Sequence, residues 1–310
     1  MINLDEIMGS APRPQERQRL QLSPGIYQNI HHRDYNDIDA LRNSYLKKIR
    51  KCAASAQVED PDDTKALIFG RAAHAMTLEG DDAFHSEFIV LPDEAPKRPT
   101  DRQIFAKKPS PETLYAVDWW NRFTAQSNGK SILTKADYQT LQGVRNSVRS
   151  HPFAKLLLTE GVSETTVIFE VECNGQKVLC KVRPDRTPAV QMKVLIDLKT
   201  TEDAGYDAFI RSCKKFGYFQ QAAFYIDGYN AVRGDLPEMD SFAFIAVEKK
   251  PPYRCEVYTL SGDSTFLLEG RQQYQDAIKR EIECRAQGFF YPNYVNAGCQ
   301  ELLPYSEMGL

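Results

Sequence analysis

Two acids and a lysine fall close together in this 310-residue chain. Asp185 ends the run Val178-Leu179-Cys180-Lys181-Val182-Arg183-Pro184-Asp185, and Asp197 and Lys199 belong to Val194-Leu195-Ile196-Asp197-Leu198-Lys199. Both runs mix apolar and β-branched residues with polar ones as strands do, and Arg186-Thr187-Pro188 interrupts them. Successive side chains of a strand point to opposite faces, so Asp197 and Lys199 share one. Carboxylates hold a hard divalent cation, and a neighbouring ammonium orients water or supports developing charge. The chemistry implied is metal-assisted attack on a phosphodiester. A bare Asp-x-Lys is more often an ion pair on a solvated strand, so the reading needs further residues.

Those residues follow in Gly217-Tyr218-Phe219-Gln220-Gln221-Ala222-Ala223-Phe224-Tyr225, where Gln221 and Tyr225 are four apart and share a helix face. Arg-Pro-Asp, Asp-x-Lys and Gln-x-x-x-Tyr in this order resemble the PD-(D/E)xK nuclease superfamily, in its branch of RecE-type (exonuclease VIII), lambda-type and RecB-type nucleases. Two more stretches narrow the resemblance to the RecE-like group. Leu67 to Gly80, with Gly70 and His74 inside it, looks like that group's glycine–histidine helix. Pro24-Gly25-Ile26-Tyr27, followed by Leu41 to Ile49, looks like its N-terminal segment. The resemblance spans roughly residues 24–231.

The resemblance implies a mixed α/β fold with an αβββαβ core and added helices. It also implies a metal site of His74, Asp185, Asp197 and the backbone carbonyl of Leu198, holding Mg²⁺ or Mn²⁺. A lone histidine in an apolar helix is ordinarily a packing residue, and only the resemblance moves His74 to the metal. Lys199 would position the nucleophile, Gln221 would orient water or the phosphate, and Tyr225 would lie behind it. Arg42 and Ser44 would hold the 5′-phosphate of a DNA end, the alternative being an ordinary amphipathic helix. Glu164 is either a further acid at the site edge or a surface glutamate. The activity implied is a 5′→3′ double-strand DNA exonuclease that leaves 3′ single strands for annealing-type recombination. Its partners would be duplex DNA ends, a single-strand annealing protein and further copies of itself in a ring. A structure-specific or restriction-type endonuclease, and an inactive DNA-binding relative, are the competing readings.

Composition agrees with a soluble globular protein: 42% of residues are hydrophobic and 26% charged. No apolar run approaches a membrane span, and the N-terminus lacks the regions of a signal peptide. Seven scattered cysteines suggest reduced thiols and a cytoplasmic location, in a bacterium or a phage-infected host. Cys255, Cys284 and Cys299 are too widely spaced to suggest an iron–sulfur cluster. The net charge of −3 argues against a protein that coats nucleic acid, but permits a local basic groove. Lys47 to Lys51, Lys97-Arg98, Lys107-Lys108 and Arg211 to Lys215 would line such a groove or simply be solvated faces.

The elements that must position these residues read in order. Residues 1–23 form a loose arm, and 24–310 a single domain. Helices are expected from Asp37 to about 49 and, capped by Thr64, to about 78. Residues 55–63 are a loop, as are 92–111 with their prolines. Helices follow at 111–127 and 134–150, the second opening on a capping box at Thr134 and Asp137. The aromatics Tyr115, Trp119, Trp120 and Phe123 read as packing residues. A short helix near 152–159 precedes strands at 162–172, 176–184 and 192–199, the first two joined by an Asn174-Gly175 hairpin. One helix over 203–232, strands near 240–248 and 253–260, a helix near 263–286 and an irregular end packed back on the domain complete the chain.

Overall fold

The structure, a computed structural model, describes residues 20–58, 64–188 and 192–292. Most of the expected N-terminal arm and the end of the chain lie outside the described residues. Strand β1 (Gly25–Tyr27), helix α1 (His32–Asp37), strand β2 (Leu41–Arg42) and helix α2 (Asn43–Lys51) come first. The helix expected from Asp37 therefore starts only at Asn43. Asp37 ends α1 instead of capping α2, while Ile38 and Leu41 are still buried. Thr64 caps helix α3 (Lys65–His74), accepting the Leu67 N–H at 3.3 Å, and the helix widens into a π-turn over Ala75–Glu79.

Helix α4 (Asp81–Glu87) leads to strand β3 (Phe88–Val90), which pairs in parallel with β4 (Ser131–Leu133). Between them the chain makes an excursion carrying helices α5 (Asp101–Ile104) and α6 (Pro111–Gln126). Helices α7 (Lys135–Ser150) and α8 (Pro152–Leu158) follow, with the expected capping box at Thr134 and Asp137.

The remaining strands are β5 (Gly161–Ser163), β6 (Thr166–Cys173), β7 (Gln176–Val182), β8 (Arg186–Pro188), β9 (Val194–Thr201), β10 (Ser241–Glu248) and β11 (Cys255–Ser261). They form two sheets, ordered β1-β6-β7-β2 and β11-β10-β9-β8-β5. The class is mixed α/β. The β6–β7 hairpin turns on Asn174 and Gly175, both at positive φ as a two-residue hairpin of this kind requires. The single strand expected over 162–172 is broken: Glu164, at φ 53°, and Thr165 separate β5 from β6, and the two halves join different sheets. Strand β9 pairs in parallel with β10 and touches β8 only at Arg186↔Ile196. Thus Asp197 lies in mid-strand, not at a strand end.

The long helix expected over 203–232 is two helices, α9 (Tyr206–Phe216) and α10 (Tyr218–Val232). Gly217 divides them at φ 66°, a left-handed conformation that suits glycine and ends α9. A Cβ there would also meet Lys47 Cδ at 2.9 Å. Helix α10 is apolar nearly all round, as a helix covered on both sides must be; it packs on β6 and is covered by α11 (Thr265–Gln287). The two helices approach closely at Gly270, where any side chain would strike the Phe219 carbonyl. No described helix is long and apolar enough to cross a membrane.

A candidate metal centre and the groups around it

The alternation of β9 sorts its side chains. Ile196 and Leu198 enter the core shared with Val144 and Val148 of α7, while Leu195 enters the core around α10. Asp197 and Lys199 take the same parity as Leu195 and so face α10. Gln221 of α10 joins them: its amide N–H donates to Asp197 Oδ1, and its Oε1 accepts from Lys199 Nζ at 3.1 Å. Lys199 Nζ also lies 2.6 Å from Asp197 Oδ2 and 4.6 Å above the Tyr218 ring. Asp197 is 1% exposed. Its Oδ2 nevertheless has no aligned hydrogen bond, because the lysine approaches outside hydrogen-bond geometry.

Asp185 follows β7, where Pro184 prevents the strand from continuing as a ladder partner. Its Oδ2 accepts the Leu198 N–H at 2.7 Å, which folds the connection back over β9. His74, in the last turn of α3, contributes Nε2 at 2.9 Å from the Leu198 carbonyl. A carbonyl only accepts, so Nε2 carries the proton. The other ring nitrogen, Nδ1, faces Asp185 Oδ2 at 3.5 Å and Glu164 Oε1 at 3.9 Å. Glu164 reaches this place through the left-handed break between β5 and β6, where its N–H donates to the Asp185 carbonyl at 3.1 Å. Arg183 Nε stands 2.7 Å from Glu164 Oε2. The π-turn begins right after His74, as such turns often do at functional positions.

His74, Glu164 and Asp185 each offer a ligand atom, all within 4.8 Å of one another. Electrostatics agrees that a cation would be welcome. Burial, with the charge of Asp197, pushes Asp185 up to about 7. For His74 burial opposes the charged form, yet Asp185, Glu164 and Asp197 outweigh it and raise the group to about 9. Lys199 shows the same contest: burial lowers it, Asp197 and Asp185 outweigh burial, and it remains a firm ammonium. Burial and the neighbouring Glu164 and Glu87 lift Glu79 to about 6. Oxygen donors with one imidazole suit Mg²⁺ or Mn²⁺ better than a thiophilic metal. Asp197 lies outside that group of three, its Oδ2 held by the Lys199 ammonium at 2.6 Å.

The expected site residues separate into those brought together and those held apart. His74, Asp185, Asp197, Leu198, Lys199 and Gln221 lie in one connected network. The Leu198 carbonyl accepts the His74 Nε2–H, which orients the imidazole. Gln221, expected to face water or phosphate, spends both ends of its amide on Asp197 and Lys199. Tyr225 sits one turn beyond Gln221, edge-on to Phe242 at 6.2 Å. Burial, with Tyr35, Asp197, Asp185 and Glu164, keeps its phenol neutral. Arg42 is the N-cap of α2 and donates to Asn36 Oδ1 at 2.9 Å; Ser44, in the first turn, is exposed. At Gly70, four residues before His74, a Cβ would meet nothing within 4 Å. Only the alanines of α3 are packed closely.

Several residues gain a role that sequence reading missed. Arg183 was visible only as part of Arg-Pro-Asp, and here it holds Glu164. Tyr218 supplies the ring beneath Lys199. Lys47 donates to the Phe216 carbonyl at 2.9 Å, and burial together with Lys199 lowers it to about 8.

Over residues 43–300 the sequence matches the profile of a PDDEXK-like domain of unknown function (DUF3799). In structure the chain is similar to a candidate exonuclease from Eubacterium rectale, with 13% identity and a TM-score of 0.53. The match covers 92% of this chain and 100% of that one. A phage-related exonuclease from Haemophilus somnus 129PT also aligns, with 13% identity, a TM-score of 0.32, and 70% and 95% of the two chains covered. No curated protein matches by sequence.

Proposed function

The chain belongs to the PDDEXK-like family DUF3799, and on that premise we propose that it is a metal-dependent 5′→3′ double-strand DNA exonuclease that leaves 3′ single strands for annealing-type recombination. The observation that carries the hydrolytic part is the pairing of two arrays. One is the His74, Glu164 and Asp185 cluster; the other is Asp197, Lys199 and Gln221, locked to one another on β9 and α10. Direction, duplex ends as substrate, a single-strand annealing partner and a ring of copies rest on the RecE-like resemblance of the motifs.

Glu164, Asp185 and His74, with Asp197 behind them, would hold the metal. A bound Mg²⁺ or Mn²⁺ supplies Lewis acidity at the phosphate and lowers the pKa of bound water. The chain's own residues do the rest. Leu198 fixes the His74 ring with Nδ1 toward the acids, since its carbonyl holds the opposite nitrogen. Lys199 is charged throughout the neutral range, so it acts as an electrostatic and positioning group, not as a base. Its ammonium stabilises negative charge developing on the phosphate oxygens. Gln221 keeps that ammonium from swinging away, and Tyr218 closes the space beneath it.

Blunt linear duplexes carrying a label on one strand, with 5′-phosphate, 5′-hydroxyl or blocked 5′ ends, test the reading beside closed circles. Loss of the 5′-ended strand, survival of a long 3′ strand and intact circles are expected in Mg²⁺. Nicking of closed circles would transfer the assignment to an endonuclease, and digestion from 3′ ends would reverse the polarity.

A further inference from the structure

The excursion between β3 and β4 departs from the expected packing. Helix α6 has 16 residues, a rod about 24 Å long, and only Thr113 and Ala116 of it are buried. Among the described residues, its aromatics belong to none of the hydrophobic cores. Tyr115, Trp119 and Phe123 follow one another at i, i+4 and i+8 and so form one stripe. Trp119 stacks on Phe123 at 5.0 Å and 11° between ring planes, with Trp120 edge-on to both. Trp120 is pinned by its N–H to the Pro96 carbonyl at 3.0 Å, and Arg98 lies 5.1 Å over its ring. Tyr115 is 57% exposed, and Phe105, on the approach to α6, is 63% exposed.

Charge accompanies the rings. Residues 97–108 carry five basic side chains against the single acid Asp101, in a chain whose net charge is −3. The base of the excursion is linked to the candidate metal centre through α1. Arg33 of α1 donates to the Gly129 carbonyl at 3.2 Å, next to β4. Tyr35, in the same short helix, lies under Arg183, the partner of Glu164.

We infer that this helical excursion is a stacking platform for a single strand of nucleic acid. The exposed Tyr115 ring and the half-buried Trp119–Phe123 stack offer aromatic surface to bases, and the basic stretch beside them offers charge to phosphates, which together are the requirements of a single-strand track. A duplex hides its base faces and fits the stripe less well. The choice of occupant rests on the nuclease reading, in which hydrolysis of one strand leaves the other unpaired beside the site.

Trp119 and Trp120 are the chain's only tryptophans, so tryptophan emission, excited selectively over tyrosine, reports on this helix. The experiment is a titration of the full chain with a short oligothymidylate in EDTA, where hydrolysis cannot proceed. Saturable quenching is expected. Tyr115→Ala should weaken binding about tenfold, the scale of losing one stacked base. Lys107→Ala with Lys108→Ala should flatten the slope of log affinity against log salt by about 1.4, the value for two phosphate contacts on a single strand. Heparin, which has charge but no bases, should bind without quenching. Equal quenching by heparin, or oligonucleotide binding with unchanged emission, would overturn the platform. A wild-type oligomer that Tyr115→Ala dissociates, with no quenching in either protein, would make the stripe a contact between copies and overturn it too. Hydrolysis in Mg²⁺ by wild-type protein that shows no quenching refutes only the platform; quenching without hydrolysis refutes only the nuclease.

Discussion

Asp185→Asn should make the metal-free protein more stable at pH 8 while abolishing hydrolysis. Asp185 is 7% exposed, so little solvent screens it. Its carboxyl is raised from the ordinary 3.8 to about 7, by burial first and Asp197 second, even with His74 nearby to attract it. A folded pKa above the unfolded one means that the native state holds the proton more tightly. The group's contribution is therefore fully present below about pH 4 and lost as pH rises through about 7. At about 1.4 kcal/mol per unit, the ionised form costs the fold about 4 kcal/mol at pH 8. Asparagine imitates the protonated acid, and its side-chain oxygen can still accept the Leu198 N–H. Urea denaturation in EDTA should then show the variant ahead by that amount at pH 8, with less than half of the advantage left at pH 5. Mn²⁺ at about a hundred times its Kd should add about 2.7 kcal/mol to wild type and almost nothing to the variant. A variant less stable than wild type at pH 8 would refute the reasoning: Asp185 would then serve chiefly as a cap for β9, and the repulsion deduced from the cluster would not exist.

Further outcomes follow from the same geometry. Lys199→Met should lower turnover by about 10²-fold or more, while calorimetric Mn²⁺ affinity stays near wild type; a collapse of both would make the lysine structural. Gln221→Leu removes the strap between Asp197 and Lys199 and should cost roughly tenfold in turnover, with single-turnover rates on duplex ends as the measure and unchanged rates as the refutation. Gly217→Ala asks an L-residue to take φ 66° with a Cβ 2.9 Å from Lys47 Cδ. It should lower stability by about 1–2 kcal/mol, and an unchanged urea midpoint would show that α9 and α10 can rejoin as one helix.

What could be read from the chain alone was whatever backbone geometry imposes. Alternation along a strand put Asp197 and Lys199 on one face before any tertiary contact was known, and the Asn174-Gly175 turn placed β6 against β7. The helical spacing around Gln221 was equally local. Glu164 was legible only as one of two alternatives. Its role depends on one left-handed residue that splits an otherwise continuous strand pattern, and glutamate gives no warning of that conformation. Arg183 and Lys47 depend on approaches between distant elements, for which spacing carries no signal. Gly217 did carry one, since a glycine inside a helical pattern is also the usual C-cap, but the apolar period continued on both sides and favoured a single helix.

The aromatics of α6 mark the limit of the pattern most clearly. A stripe of large rings at helical spacing is read as one half of a core, because burial is what such rings ordinarily gain. A core needs a second layer, however, and the sequence of α6 does not say whether one will arrive. Here the parallel pairing of β3 and β4 closes the base of the excursion, and α5 with the segment at Pro96 and Arg98 packs on α6 while Tyr115 stays exposed. The rings also pack partly on one another, through the Trp119–Phe123 stack and the edge of Trp120. Of the five basic residues of 97–108, Arg98 lies over the Trp120 ring. Exposed rings beside a concentration of positive charge are costly to leave idle in water. That cost is why the excursion reads as a surface that acquires its partner from outside the fold.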